Sequence, residues 1–296
     1  MSQSELQQLV AMLRSTGPDL TAPPAKLRAD FTVMVGAAPL ASDLIFEPVR
    51  LGGVSALACT APGAREDCCL LYLHGGAFVI GSAQDYRSVF AELGRAAGVK
   101  VVAPDYRLAP EHPFPAAVDD ALASYRALLE RHAPASIVLA GDSAGGGLVT
   151  SLLVAARDAG LPLPAGALLL SPWVDLACQG RSMTTKAAAD PSITRPGLLA
   201  NAALYLGRKP ADTPLASPLH ADLAGLPPML LQVGTAEILL DDALRLATRA
   251  AEANVEVRLS VWPDMPHVWH FFGFMLEEGR RAVAEAGDFL RARLGP

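Results

Sequence analysis

Lysine and arginine are few and scattered: 24 of them stand against 30 aspartates and glutamates in 296 residues, for a formal charge of -6. Without a basic cluster there is no stripe to bind a phosphate backbone or an anionic membrane surface. Nucleic acid and membranes are therefore excluded as partners, and a small, neutral substrate is expected. Long apolar runs are missing too. His74, Asp142 and many glycines and prolines interrupt the richest stretches before they reach the roughly 18 residues that a membrane helix needs. The first residues, MSQSELQQLVAMLRSTGPDL, carry Glu5 and three glutamines where a secretory leader has a basic region and then an apolar one, so a cytoplasmic protein is expected. Cysteine is limited to Cys59, Cys68, Cys69 and Cys178. Neighbouring Cys68 and Cys69 fall on opposite faces of a strand and match no metal-ligand spacing, so buried free thiols and no metal are expected. Internal repeats and low-complexity tracts are absent. What remains is a chain that is 51% hydrophobic and long enough to bury a sizeable core.

Short β-rich apolar runs recur, each followed by a segment of helical period: CCLLYLHGG, VKVVAPDY, SIVLAGD, GALLLSPW, PMLLQVG and VEVRLSVWP. Strands alternating with helices of ten or more residues predict crossover units and a mostly parallel sheet flanked by helices, an α/β fold. In such sheets ligands bind beyond the carboxyl ends of the strands. Residues 1–45 precede the alternation, and residues 178–210 interrupt it with more chain than a connector needs, so a lid or cap is expected there.

Gly141-Asp142-Ser143-Ala144-Gly145 fits G-x-S-x-G and lies between the strand SIVLA and a helical run. A strand-to-helix turn this tight projects its serine, and the flanking glycines leave room for neighbouring backbone. Ser143 is thus the candidate nucleophile. His74-Gly75-Gly76-Ala77-Phe78 follows another strand directly. Glycines there let the N–H groups of Gly75 and Gly76 approach a substrate oxygen and, with the N–H of Ala144, form an oxyanion hole. His74 precedes the serine, whereas the order on this kind of fold is serine, acid, histidine; it is read as a brace for its loop. That order leaves His220, His267 and His270. His267 stands just beyond the last strand and is the candidate base, with His270, inside the apolar run VWHFFGF, as the alternative.

HGGAF, the stretch DYRLAPEHPFPAA from Asp105 to Ala117, GDSAGG, SPWVDL and the PHVWH region together resemble the hormone-sensitive-lipase-like esterases of the α/β-hydrolase fold, bacterial family IV. The resemblance covers nearly all of the chain after residue 45. It implies hydrolysis of short- to medium-chain carboxylic esters, with no metal or organic cofactor. It also implies a cap formed by residues 1–45 and 178–210, over a core made of residues 46–177 and 211–296. A bracing role for Asp105, Tyr106 and Arg107 behind the oxyanion loop is implied as well.

The family usually has an aspartate where this chain has Glu237, and the six positions from there read EILLDD. Glu237 lies beyond the strand PMLLQV, where the chain order requires the acid. Its extra methylene, about 1.5 Å of reach, calls for a displaced backbone or a folded-back rotamer. Asp241 is the alternative acid. Asp241 and Asp242 together otherwise suit the start of the next helix, as N-cap and dipole partners. Phe78, Trp173 and Tyr205 are candidates for pocket walls or for the core. A homodimer through the strand VEVRLSVW is conceivable. Two rival functions use the same framework: an amidase or arylformamidase with the same triad, and a non-catalytic small-ligand binding protein, as in gibberellin receptors, whose triad histidine is replaced.

Overall fold

A computed structural model describes residues 3–36 and 38–295. Two helices open the chain, α1 (Gln3–Thr16) and α2 (Pro24–Gly36). A hairpin follows, β1 (Ile45–Leu51) and β2 (Val54–Thr60), and then the alternating part: β3 (Arg65–Leu73), α3 (Arg87–Ala97), β4 (Val99–Pro104), α4 (Ala116–Leu129), β5 (Ile137–Asp142), α5 (Ala144–Asp158) and β6 (Gly166–Leu170). The inserted segment contributes α6 (Ser182–Thr185) and α7 (Arg195–Leu206). The chain closes with β7 (Met229–Gly234), α8 (Leu240–Glu252), β8 (Val257–Trp262) and α9 (Glu277–Leu294).

The strands form one sheet in the order β1-β2-β4-β3-β5-β6-β7-β8. From β4 to β8 all pairs are parallel, while β1 runs antiparallel to β2 and β2 antiparallel to β4. The hairpin is the part that strand-helix alternation does not reveal. Its signal is Gly52-Gly53, both at positive φ (55° and 86°), the backbone that a two-residue turn with the twist of a hairpin requires. The central strands β5, β6 and β7 are buried along their whole length, because helices cover both faces, and this is why they read as continuous apolar runs. β8 lies at the edge and is partly exposed along its length, with Leu259 and Val261 exposed.

This strand order positions the site. β3, β5, β6, β7 and β8 are successive neighbours and run the same way, so the loops after them stand side by side along one edge. The N-terminal segment and the insertion meet each other. Asn201 of α7 donates to the Leu20 carbonyl at 2.8 Å, and Arg14 of α1 to the Ala188 carbonyl at 3.0 Å. α1 also packs Leu9 and Leu13 against Met265 and Trp269, on either side of His267 in the chain. The four cysteines are free and buried. Among the described residues no helix is long and apolar enough to cross a membrane.

Candidate active site

Ser143 sits between β5 and α5 with φ 52° and ψ -123°, a conformation that is costly for any residue with a side chain and is held by its surroundings. Its N–H donates to the Leu170 carbonyl at 2.8 Å and its carbonyl accepts from Trp173 N–H at 2.9 Å. The flanking glycines are required by close approach. A Cβ at position 145 would collide with the Leu73 and His74 carbonyls, and one at 141 with the Gly145 carbonyl. The hydroxyl stands 3.0 Å from His267 Nε2, and His267 Nδ1 stands 2.8 Å from Glu237 Oε2. Three residues from three different loops are thus strung into one hydrogen-bonded chain.

Glu237 is fully buried and its carboxylate folds back over its own loop. Oε1 accepts the Gly234 N–H at 2.6 Å and the Ser171 hydroxyl at 2.8 Å, leaving Oε2 for the imidazole. For His267, burial disfavours the imidazolium, but the hydrogen bond and charge of Glu237, reinforced by Asp190 and Asp142, outweigh it and hold the pKa above the usual histidine value. His270 stays apart: its Nε2 meets Gln232 Oε1 at 3.0 Å, its ring packs on Trp269, and burial lowers its pKa to about 3. His220 lies near Asp175, 3.8 Å away.

Asp241 and Asp242 lie in the first turn of α8, but the N-cap residue is Leu239, so neither caps the helix. Their carboxylates reach across to the segment after β6. Asp242 Oδ2 accepts from the N–H groups of Val174 and Asp175, both at 3.0 Å, and Asp241 Oδ2 accepts from Arg181 N–H. Burial raises the Asp242 carboxyl to about 7.

The oxyanion loop corrects one expectation. The Gly75 N–H donates to Asp142 Oδ1 at 2.9 Å and is not open to a substrate. Asp142 also accepts from Tyr72 at 2.6 Å, and burial raises its carboxyl to about 6. Among the described residues the N–H groups of Gly76 and Ala77 have no acceptor. Ala144, as the first residue of α5, has none within its helix. The free donors are therefore Gly76, Ala77 and Ala144. Ala77 and Phe78 both adopt positive φ, 53° and 63°.

The loop is braced much as its resemblance implied. The Tyr106 hydroxyl donates to the His74 carbonyl at 2.6 Å, its ring stacks on the His74 ring at 4.3 Å, and Asp105 accepts from Ala83 N–H at 2.7 Å. Arg107 is one step removed, paired with Asp120 at 2.8 Å. His74 is buried with its Nδ1 2.7 Å from the Gly75 carbonyl, in keeping with a bracing role. Phe78 stacks on Tyr205 at 3.9 Å and tilts against Trp173 at 6.2 Å, all three buried. Among the described residues no group of three or more His, Cys, Asp or Glu side chains could hold a metal ion.

Comparison with known proteins joins this geometry to a family. A family model described as alpha/beta hydrolase fold matches residues 70–271. A crystal structure of an esterase from the bacterial hormone-sensitive lipase family superposes with a TM-score of 0.96 at 49% identity, over 100% of both chains. This chain belongs to that family of carboxylesterases. An acetyl-hydrolase of Streptomyces hygroscopicus is 50% identical over 242 residues, 80% of this chain and 81% of that protein. An esterase of Acinetobacter venetianus is 35% identical over 245 residues, 82% and 80% of the two chains. This hormone-sensitive-lipase-like esterase carries Glu237 where the resemblance implies an aspartate, and the Ser171 hydroxyl holds one oxygen of that carboxylate at 2.8 Å. Sequence reading passes over Ser171, although a serine directly beyond β6 at the carboxyl edge was a visible signal.

Proposed function

We propose that the protein hydrolyses short- to medium-chain carboxylic esters through an acyl-enzyme on Ser143. The observation that carries this reading is the unbroken hydrogen-bonded chain from Ser143 Oγ through His267 to Glu237, beside three unoccupied N–H groups. Ser143 Oγ attacks the ester carbonyl while its proton passes to His267 Nε2. The negative charge on the carbonyl oxygen is met by the N–H groups of Gly76, Ala77 and Ala144, aided by the N-terminus of α5. His267 then protonates the leaving alcohol. Water, deprotonated by the same imidazole, attacks the acyl group, and the proton returns to Ser143 as the acid leaves. Glu237 holds the ring with its proton on Nδ1 and stabilises the imidazolium.

Residues 1–45 and 178–210 act as the cap in this reading. Support comes from their bonds to one another and from Arg28 of α2, which donates to the Val79 carbonyl at 2.8 Å, just beyond the oxyanion loop, and to the Ala109 carbonyl at 2.9 Å. Phe78, Trp173 and Tyr205 supply an apolar wall behind the loop. The acetyl-hydrolase relative favours the short end of the acyl range. Two copies pair through their β8 edges, a reading supported by exposed Leu259 and Val261; Val261→Lys then yields monomers by sedimentation. Four unpaired cysteines suit work in the cytoplasm.

The test is hydrolysis of p-nitrophenyl esters from acetate to decanoate, with covalent labelling of Ser143 by a serine-directed phosphonate. Turnover that peaks at short chains and is abolished by Ser143→Ala is expected. Binding without hydrolysis or labelling would return the protein to the ligand-binding reading.

A further inference from the structure

The backbone of the oxyanion loop is strained, and part of what holds it comes from the N-terminal helices. Gly76, Ala77 and Phe78 all take positive φ, 102°, 53° and 63°, and the last two carry side chains that disfavour it. Such backbone persists only where its surroundings over-determine it. Within the loop, the Gly76 carbonyl accepts the N–H groups of Val79 at 3.0 Å and Ile80 at 2.9 Å. From outside, the Phe78 carbonyl accepts the Ala109 N–H at 2.9 Å, and the Val79 carbonyl accepts Arg28 Nε of α2 at 2.8 Å.

The Arg28 fork is used on two edges. Nη2 donates to the Ala109 carbonyl at 2.9 Å, so the Nε–Nη2 edge spans carbonyls on two loops. The Nη1–Nη2 edge takes Glu111 in a bidentate pair, at 2.9 Å to Oε1 and 2.7 Å to Oε2. That pair is half-exposed and adds little stability by itself, but it fixes the direction of the fork. A lysine, with its donors at one point, cannot span the same four acceptor oxygens. α2 is seated by Leu27 and Phe31, buried one helical turn apart in the core that includes Phe78 and Val79. Two rigid peptide planes then lead from the guanidinium to the site. The Val79 carbonyl shares a plane with the Ile80 N–H, which bonds the Gly76 carbonyl; that carbonyl shares a plane with the Ala77 N–H, one of the open donors. A cation at the head of such a chain polarises each bond along it.

We propose that Arg28 is a positioning residue for the oxyanion hole: from α2 it fixes and polarises the two peptide planes that end in the Ala77 N–H. Because α2 supplies it, the strength of the hole depends on the N-terminal helices being seated on the core. The proposal rests on the esterase reading, in which the Ala77 N–H meets the carbonyl oxygen of the substrate.

Arg28→Met removes every donor, and Arg28→Lys keeps a charge without the fork and carries the test should the methionine variant fail to fold. On p-nitrophenyl acetate kcat should fall roughly ten-fold for methionine and about three-fold for lysine, with KM within about two-fold. A short alkyl trifluoromethyl ketone reads the hole itself, since its adduct with Ser143 places a charged oxygen there. Its Ki should weaken by the same factor as kcat/KM falls. Coupling is reciprocal, so the adduct should slow amide exchange over residues 27–31 in the wild type and do so less in the variants. Lys26→Ala, exposed on the same helix, should leave these readouts unchanged. A ketone affinity that both Arg28 substitutions leave within about two-fold of wild type overturns the proposal, even if kcat falls, and leaves Arg28 a structural tie. A wild-type protein that neither turns over the ester nor binds the ketone removes the esterase reading, and this proposal with it.

Discussion

The Ser171 hydroxyl donates to Glu237 Oε1 at 2.8 Å, the carboxylate oxygen turned away from His267, and accepts the Val268 N–H at 3.3 Å. One buried hydroxyl therefore fastens both the acid and the residue beside the base, from a backbone held at φ 44°. A glutamate has one more rotatable bond than an aspartate and more rotamers to lose. Two donors on one oxygen remove that freedom and present the other oxygen to the imidazole.

If this anchoring matters, Ser171→Ala should lower kcat roughly ten-fold with KM little changed. The loss should vanish in a Glu237→Gln background, since neighbours acting through one group are not additive. Kinetics on the four proteins of this double-mutant cycle check it. A full additional loss beside Glu237→Gln would mean that Ser171 acts through packing.

Glu237→Gln should cost up to roughly four orders of magnitude in turnover, as amides of triad acids do. Asp241→Asn should stay near wild type, because Asp241 binds the Arg181 N–H and lies away from the imidazole chain. Glu237→Asp withdraws the carboxylate by about 1.5 Å and should fall between the two. Steady-state rates on one short-chain ester separate these outcomes.

The pH profile follows from the raised His267 pKa. The base acts only when neutral, so activity is lost as pH falls through that pKa. The acid limb should therefore lie above the ordinary histidine value of 6.5, displaced upward from the roughly 6 to 7 that an unperturbed histidine gives. A kcat/KM profile from pH 5 to 9 measures it, and a limb below 6.5 would contradict the Glu237 contact.

Tyr106→Phe removes the hydroxyl that holds the His74 carbonyl at 2.6 Å and leaves that carbonyl buried and unpaired. A loss of about 1–3 kcal/mol in stability is expected. A several-fold fall in kcat should accompany it, as the Gly76 and Ala77 donors loosen. Urea melts and initial rates on the same variant test both effects.

Asp242 is raised by burial to about 7, far above an unfolded aspartate, so its contribution to stability is present at low pH and is lost as pH rises through 7. Asp242→Asn retains an oxygen for the Val174 and Asp175 N–H groups without the buried charge. Its melting temperature relative to wild type should climb as pH rises from about 4 to 7 and level off above 7. Buried neutral His270, lowered to about 3, opposes this trend in both proteins and cancels in the comparison.

What could be read in the sequence was local. An apolar run, a tight turn and a helix are contiguous, so GDSAG and HGGAF announced their strand-turn-helix settings, and the order serine, acid, histidine selected His267 and Glu237. The hairpin β1–β2 was also within reach through Gly52-Gly53, but its strands are partly exposed and lack the uniform apolar signal of the central ones.

Other assignments depended on atoms brought together from distant places in the chain. The side chain of Asp142 reaches back 67 residues to take the Gly75 N–H, which moves the open donors of the oxyanion loop to Gly76 and Ala77. Ser171 meets Glu237 across 66 residues, and Asp190 meets Ile238 across 48. Asp241 and Asp242 look like helix starters in sequence, yet in the fold their carboxylates serve the segment beyond β6. The sequence by itself determined the fold class, and it singled out the candidate nucleophile and the order of its candidate partners, because these follow from periodicity and chain direction. Only the tertiary structure decided which N–H groups stay free and which hydroxyl steadies the acid, because a hydrogen bond belongs to whichever groups the fold leaves within 3 Å of each other.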